Sequence, residues 1–196
     1  MAQGIYCFEG EWGRARDRRT VEPVLGLLRD CDDTPYIHRN VPTPDTLRYY
    51  AKRWLRLTSM PIGYFACHGE RGQLWFSEEG LTLDDFATIL GGKCDGKVLF
   101  FSSCSTLATK GEDLKELCRA TSARGVVGYT KTVDFVEAAA FEILLLRDLL
   151  CSTNFRSVHA RMAREHPFMS KRLGLRMAHK TWASPRSVAQ GALDSA

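Results

Sequence analysis

The chain has no CxxC pair, no G-x-G-x-x-G, no complete phosphate loop and no apolar run of bilayer length. Each absence removes a class of function. Seven cysteines (7, 31, 67, 94, 104, 118 and 151) are an odd number, and several sit inside apolar runs, where cysteine behaves as a small hydrophobe. A disulfide framework is not expected, which favours a reducing cytoplasm. Cys67, His68, Cys94 and Cys104 could each ligate zinc, but without paired ligand spacing no metal is expected. The stretch from Phe135 to Leu150 is the longest span candidate, and Glu137, Glu142, Arg147 and Asp148 interrupt it, so no membrane partner is expected. The opening MAQGIYCFEGEW has neither a charged n-region nor an apolar h-region, so no secretory signal is read there. GGKCDGKV, from Gly91, ends in Val98 where magnesium binding needs a hydroxyl. It also precedes a strand, whereas a phosphate loop joins a strand to the helix after it.

The 196 residues, 44% of them apolar, suffice for one domain with its own core. The net charge of +4 is too mild to indicate a nucleic-acid partner. Strand and helix patterns alternate. Strands are expected over 4–8, 36–41, 61–67, 97–102 and 125–130, with a hairpin over 73–83 turning at Glu79-Gly80. Helices are expected over 20–28 with Thr20 as cap, 43–57 capped by Thr43, 84–90, 113–121, 134–150 and 154–166. The runs KVLFFS and GVVGYT are almost wholly apolar, as in strands covered on both faces. The order implies an α/β fold, an open and mostly parallel sheet with helices on both faces. A single domain over 1–182 and a frayed tail over 183–196 are expected. The arginine-rich segment after Cys151 reads as a solvated helix face.

Two strand ends carry the chemistry. YFACHG ends in His68-Gly69, and VLFFSSCST ends in Ser102-Ser103-Cys104. Were these strands neighbours, about 4.8 Å apart, His68 and Cys104 would project from one sheet edge. An imidazole can take the proton of a thiol and later protonate a leaving amine. The N–H groups of Gly69 and Cys104 are candidate donors to an oxyanion. Alone, His68 would more often satisfy a strand-end loop. Cys67, adjacent to it, reads as core.

These motifs, with GVVGYTKTVDFVEAAAFEILLL from Gly125, resemble the caspase-like cysteine peptidases, in particular the CHAT and separase branch. The resemblance covers residues 61–150. It implies a caspase-like three-layer sandwich, a Cys-His dyad of Cys104 and His68, and hydrolysis of a protein or peptide substrate without cofactor. It also implies a role in bacterial signalling or defence with an activating protein partner. By the same resemblance Asp134 helps form the pocket for a basic P1 side chain, with Ser102 at the position where metacaspases often carry an acid. Asp134 also suits the N-cap of the long helix, and both roles could hold at once. A caspase-like fold kept as a non-catalytic scaffold is the alternative.

Overall fold

The structure, a computed structural model, describes residues 3–13, 17, 19–76 and 78–186. Its first half runs β1 (Ile5–Glu9), α1 (Glu22–Asp32), β2 (Tyr36–Asn40), α2 (Pro44–Trp54), β3 (Ile62–Ala66), β4 (His68–Glu70), β5 (Gln73–Trp75), β6 (Gly80–Thr82) and α3 (Leu83–Leu90). Its second half runs β7 (Val98–Ser102), α4 (Gly111–Thr121), β8 (Gly125–Tyr129), α5 (Phe135–Cys151), α6 (Phe155–Glu165), α7 (Pro167–Leu173), β9 (Leu175–His179) and β10 (Trp182–Ala183).

Seven strands form one sheet in the order β10-β9-β8-β7-β3-β1-β2. The five from β8 to β2 are parallel, and β9 and β10 add an antiparallel edge. Alternate residues of each strand feed opposite layers. Tyr6, Phe8, Phe65 and Phe101 pack with Trp54, Phe86 and Leu114 of α2, α3 and α4. Ile5, Tyr64, Phe100 and Tyr129 pack with Leu25 of α1, Phe141 of α5 and Val158 of α6. β3, β7 and β8 are buried along their whole length, as their apolar runs require. The strand order reverses between β1 and β3, and such a switch opens a crevice at the carboxyl ends of the strands.

Four details depart from the sequence reading. His68–Glu70 is itself a strand, and it joins β5 and β6 in a separate three-stranded sheet. Trp75 pairs with Gly80, so that glycine belongs to β6 and not to the turn. The cap position of α1 is Val21, although the Thr20 hydroxyl still accepts from the Glu22 N–H at 3.1 Å while donating to Glu9 at 2.7 Å. Leu175–His179, within the stretch read as weakly patterned, lies inside the sheet. Its Arg176 is buried there and does not lie on a solvated helix face. Ala183 completes β10, and buried Ser184 exchanges hydrogen bonds with Met177; of the expected tail, 187–196 lies outside the described residues. No helix among the described residues is long and apolar enough to cross a membrane.

Phe65 is the centre of the aromatic layer behind the crevice. It stacks on Phe8 at 4.6 Å between ring centroids and meets the edge of Phe86 at 4.8 Å and Trp54 at 5.9 Å. Phe65→Ala is expected to lower unfolding free energy by about 3–5 kcal/mol. Urea denaturation checks this, with the midpoint falling and the slope unchanged.

Candidate active site

β3 and β7 pair directly, with Ala66 opposite Ser102. The Cys67 N–H continues the ladder to the Ser102 carbonyl at 3.3 Å. Two residues further on each strand stand His68 and Cys104. Both line one cleft of about 240 Å³, together with Trp12, Ser102, Asp134, Phe135 and Glu142. The structure thus brings His68, Cys104, Ser102 and Asp134 to one place. Cys67, adjacent to His68, is buried, and burial raises its thiol pKa strongly.

The turn that carries Cys104 is tied on three sides. Ser105 adopts a left-handed conformation (φ 54°), and its N–H donates to the Lys131 carbonyl at 2.9 Å. The Thr106 hydroxyl donates to the Gln73 carbonyl at 3.1 Å, and the Gly72 N–H donates to the Thr106 carbonyl at 3.1 Å. The Val133 N–H donates to Cys104 Sγ at 3.4 Å. The sulfur is held yet half-buried, so a reagent can reach it.

Gly69 packs against this turn. A Cβ there would stand 2.7 Å from the Cys104 carbonyl oxygen and 2.3 Å from Thr106 Oγ1. Glycine is required by that close approach. It sets the main chain of Gly69 beside that of Cys104.

Sequence reasoning missed the group that holds His68. Its Nε2 lies 2.8 Å from the Trp12 carbonyl oxygen. A carbonyl only accepts, so Nε2 carries the hydrogen and Nδ1 of the neutral ring is left as an acceptor. The Trp12 indole also meets the imidazole edge-on, at 5.6 Å between centroids. The loop bearing Trp12 is fixed where Gly10 N–H donates to Ala66 and Glu11 N–H to Phe76, both at 2.8 Å. The Trp12 indole N–H donates to Glu9 Oε1 at 2.6 Å. Glu9 is buried and also accepts from the Thr20 hydroxyl and the Val21 N–H, with His38 Nε2 at 2.5 Å. Burial alone would raise its pKa. The hydrogen bonds from His38, Trp12, Thr20 and Val21 outweigh that and hold it below the ordinary carboxylate range.

A second buried acid, also missed, lies on the other side of the cleft. Glu142, on α5, is 1% exposed yet lines the cleft. Tyr64 donates to its Oε2, Tyr129 donates to its Oε1 at 3.0 Å, and Ser102 is a third hydrogen-bond partner. Burial outweighs these bonds and raises its pKa to about 7. Asp134 does cap α5, its Oδ1 accepting from the Val136 and Glu137 N–H groups at 2.9 and 3.0 Å, while it also lines the cleft mouth. A signal for Glu142 was present: Asp134, Ala138 and Glu142 recur at helical spacing on one face of an Ala- and Leu-rich helix.

Residues 2–179 match a family model described only as a family of unknown function, DUF6642. The chain belongs to DUF6642. No curated protein matches it. Among the described residues, no three His, Cys, Asp or Glu side chains of this DUF6642 chain converge to hold a metal ion.

Glu142 sets a pH dependence of stability. Its folded pKa lies above the unfolded value of 4.5, so the free energy gained from keeping it protonated is complete below pH 4.5 and lost as pH rises toward 7. His159, whose pKa burial lowers from 6.5, acts in the opposite sense, so a difference measurement is needed. The stability of Glu142→Gln relative to wild type is expected to rise between pH 5 and pH 7.5, read as urea midpoints across that range. Gly69→Ala is expected to lose about 1–3 kcal/mol by crowding the Cys104 turn, read the same way.

Proposed function

We propose that the protein is a cysteine endopeptidase of the caspase-like type. The observation that carries this reading is the delivery of His68 and Cys104 to one cleft by paired, adjacent strands. The His68 tautomer adds support, since a hydrogen committed to Trp12 leaves Nδ1 as the proton acceptor. The open α/β sheet is the architecture that the resemblance implies.

The reaction follows from these parts. His68 Nδ1 takes the thiol proton as Cys104 Sγ bonds to the carbonyl carbon of the scissile peptide. The carbonyl oxygen becomes an oxyanion, which the N–H groups of Gly69 and Cys104 receive. The C–N bond breaks as the imidazolium returns its proton to the amine. Water then attacks the thioester carbonyl carbon as His68 accepts its proton, the C–S bond breaks, and the imidazolium returns the proton to the Cys104 sulfur as the acid product leaves. The Trp12 carbonyl holds the ring in place through both steps.

A peptidyl acyloxymethyl ketone tests this. Cys31 and Cys151 are exposed, so the adduct is mapped by peptide mass spectrometry in a Cys31→Ser, Cys151→Ser background. The expected adduct is on Cys104, absent in Cys104→Ala and formed at least ~100-fold more slowly in His68→Ala. Labelling that survives Cys104→Ala, or no labelling with any peptide, would leave the fold as a non-catalytic scaffold.

A further inference from the structure

Arg176 is a buried cation that the peptide chemistry does not use. It lies in β9 opposite Gly128 and is 3% exposed. Its side chain shares a face of the sheet with Ala178, two residues on, which packs in one cluster with Leu114 and Leu117 of α4. Among the described residues, its Nε and Nη1 are buried without a hydrogen-bond partner. No carboxylate among them offsets its charge, and the charge that bears on it is that of Arg186, of the same sign. A buried acid escapes such a position by taking up a proton. A guanidinium has no such escape, because it stays protonated in proteins. Burying an unpaired charge is costly, and the usual remedy is an ion of opposite sign.

The third nitrogen of Arg176 shows where that ion belongs. Nη2 lies 3.7 Å from the point that a Cβ on Gly111 would occupy. Gly111 opens α4, a helix of 11 residues. The first N–H groups of a helix have no acceptor within it, and they form the positive end of its dipole. A buried cation is thus directed at a positive pole, which is repulsive unless a negative group lies between them. Gly111 is half-buried and carries no side chain, so the approach from solvent is not blocked there. Arg186 is close by, its guanidinium donating to the carbonyl of Ala108, three residues before Gly111. The acids of the first turn of α4 are engaged elsewhere. Asp113 Oδ2 accepts from the Lys110 N–H at 3.0 Å, and Glu112 Oε1 accepts from Lys115 at 2.7 Å. Thr109, on the same loop, has a buried hydroxyl without a partner.

We propose that Arg176, Arg186 and the N-terminal N–H groups of α4 form an oxyanion site that takes a phosphate group. A guanidinium donates in its own plane, and helix N–H groups donate along the helix axis. Donors that converge from different directions suit a tetrahedral phosphate better than a planar carboxylate. None of these residues lines the cleft of His68 and Cys104, so the site stands whether or not Cys104 is a nucleophile.

The probe is inorganic phosphate, with chloride at matched ionic strength as the reference and acetate as the carboxylate arm. Wild-type protein is expected to melt about 2–4 °C higher in about 20 mM phosphate than in chloride, with a much smaller increment in acetate. Adenosine monophosphate and O-phosphoserine distinguish free phosphate from a monoester, and an increment from either that Arg176→Met abolishes supports the site equally. Arg176→Met keeps an apolar stem, removes the charge and is expected to lose the phosphate increment. Phosphate also stabilises proteins generally, by exclusion from their surface. That effect is the same in both proteins, so an equal increment in wild type and Arg176→Met overturns the proposal. No increment in wild type, or one in acetate as large as in phosphate, also overturns it. If Arg176→Met does not fold, calorimetric titration of phosphate into wild type and Arg186→Ala decides. Binding weakened about tenfold in Arg186→Ala supports the site, and unchanged binding overturns it.

Discussion

The parallel pairing of β3 with β7 is the constraint on which the site depends. Their register, Ala66 opposite Ser102, brings two chain ends out of the sheet together. One residue past β3 the main-chain ladder still holds, through Cys67 N–H and the Ser102 carbonyl at the end of β7. The imidazole and the thiol therefore leave the same edge of the sheet and line one cleft. A one-residue slip would turn every side chain of one strand to the opposite face and separate the pair. The aromatic layer around Phe65 makes such a slip costly, because it would expose Phe65 and Phe101 to the wrong layer. Core packing and site geometry are one constraint seen from two sides.

Two buried carboxylates flank that edge and are treated differently by their surroundings. Glu9 has four donors and is held ionised, and it orders the loop whose Trp12 carbonyl orients His68. Glu142 has three neutral donors and a deeper position, and burial wins over them. One acid is saturated and serves as a fixed point of the framework. The other retains acceptor capacity and faces the cleft. This difference in saturation is why the first is held ionised as a fixed point of the framework while the second retains its proton up to a pH of about 7.

Much of the framework was legible in the chain. The apolar runs of β3, β7 and β8 announce strands covered on both faces, and the structure buries each of them fully. Thr43 and Asp134 were read as helix caps and act as such, because a cap is a local interaction within three residues. β9 was not legible. Arg176 interrupts its apolar pattern, and only contact with β8 on one side and β10 on the other makes it a strand. The strand character of His68–Glu70 likewise needs its partner β5. Trp12 escaped notice because its role belongs to a main-chain carbonyl, which every residue possesses and no side-chain motif reveals.

By itself the sequence determined the types of the central strands and the longer helices, the layered α/β architecture and the two strand ends at which a histidine and a cysteine sit. These follow from periodicity and from interactions between near neighbours along the chain. Only the tertiary structure decided that β3 and β7 are adjacent, that Gly69 lies against the Cys104 turn, and that Glu142 lines the same cleft from a helix far downstream. Those are contacts between segments tens of residues apart. Strand order, crossover direction and burial set them, and these quantities exist only once the chain has closed on itself.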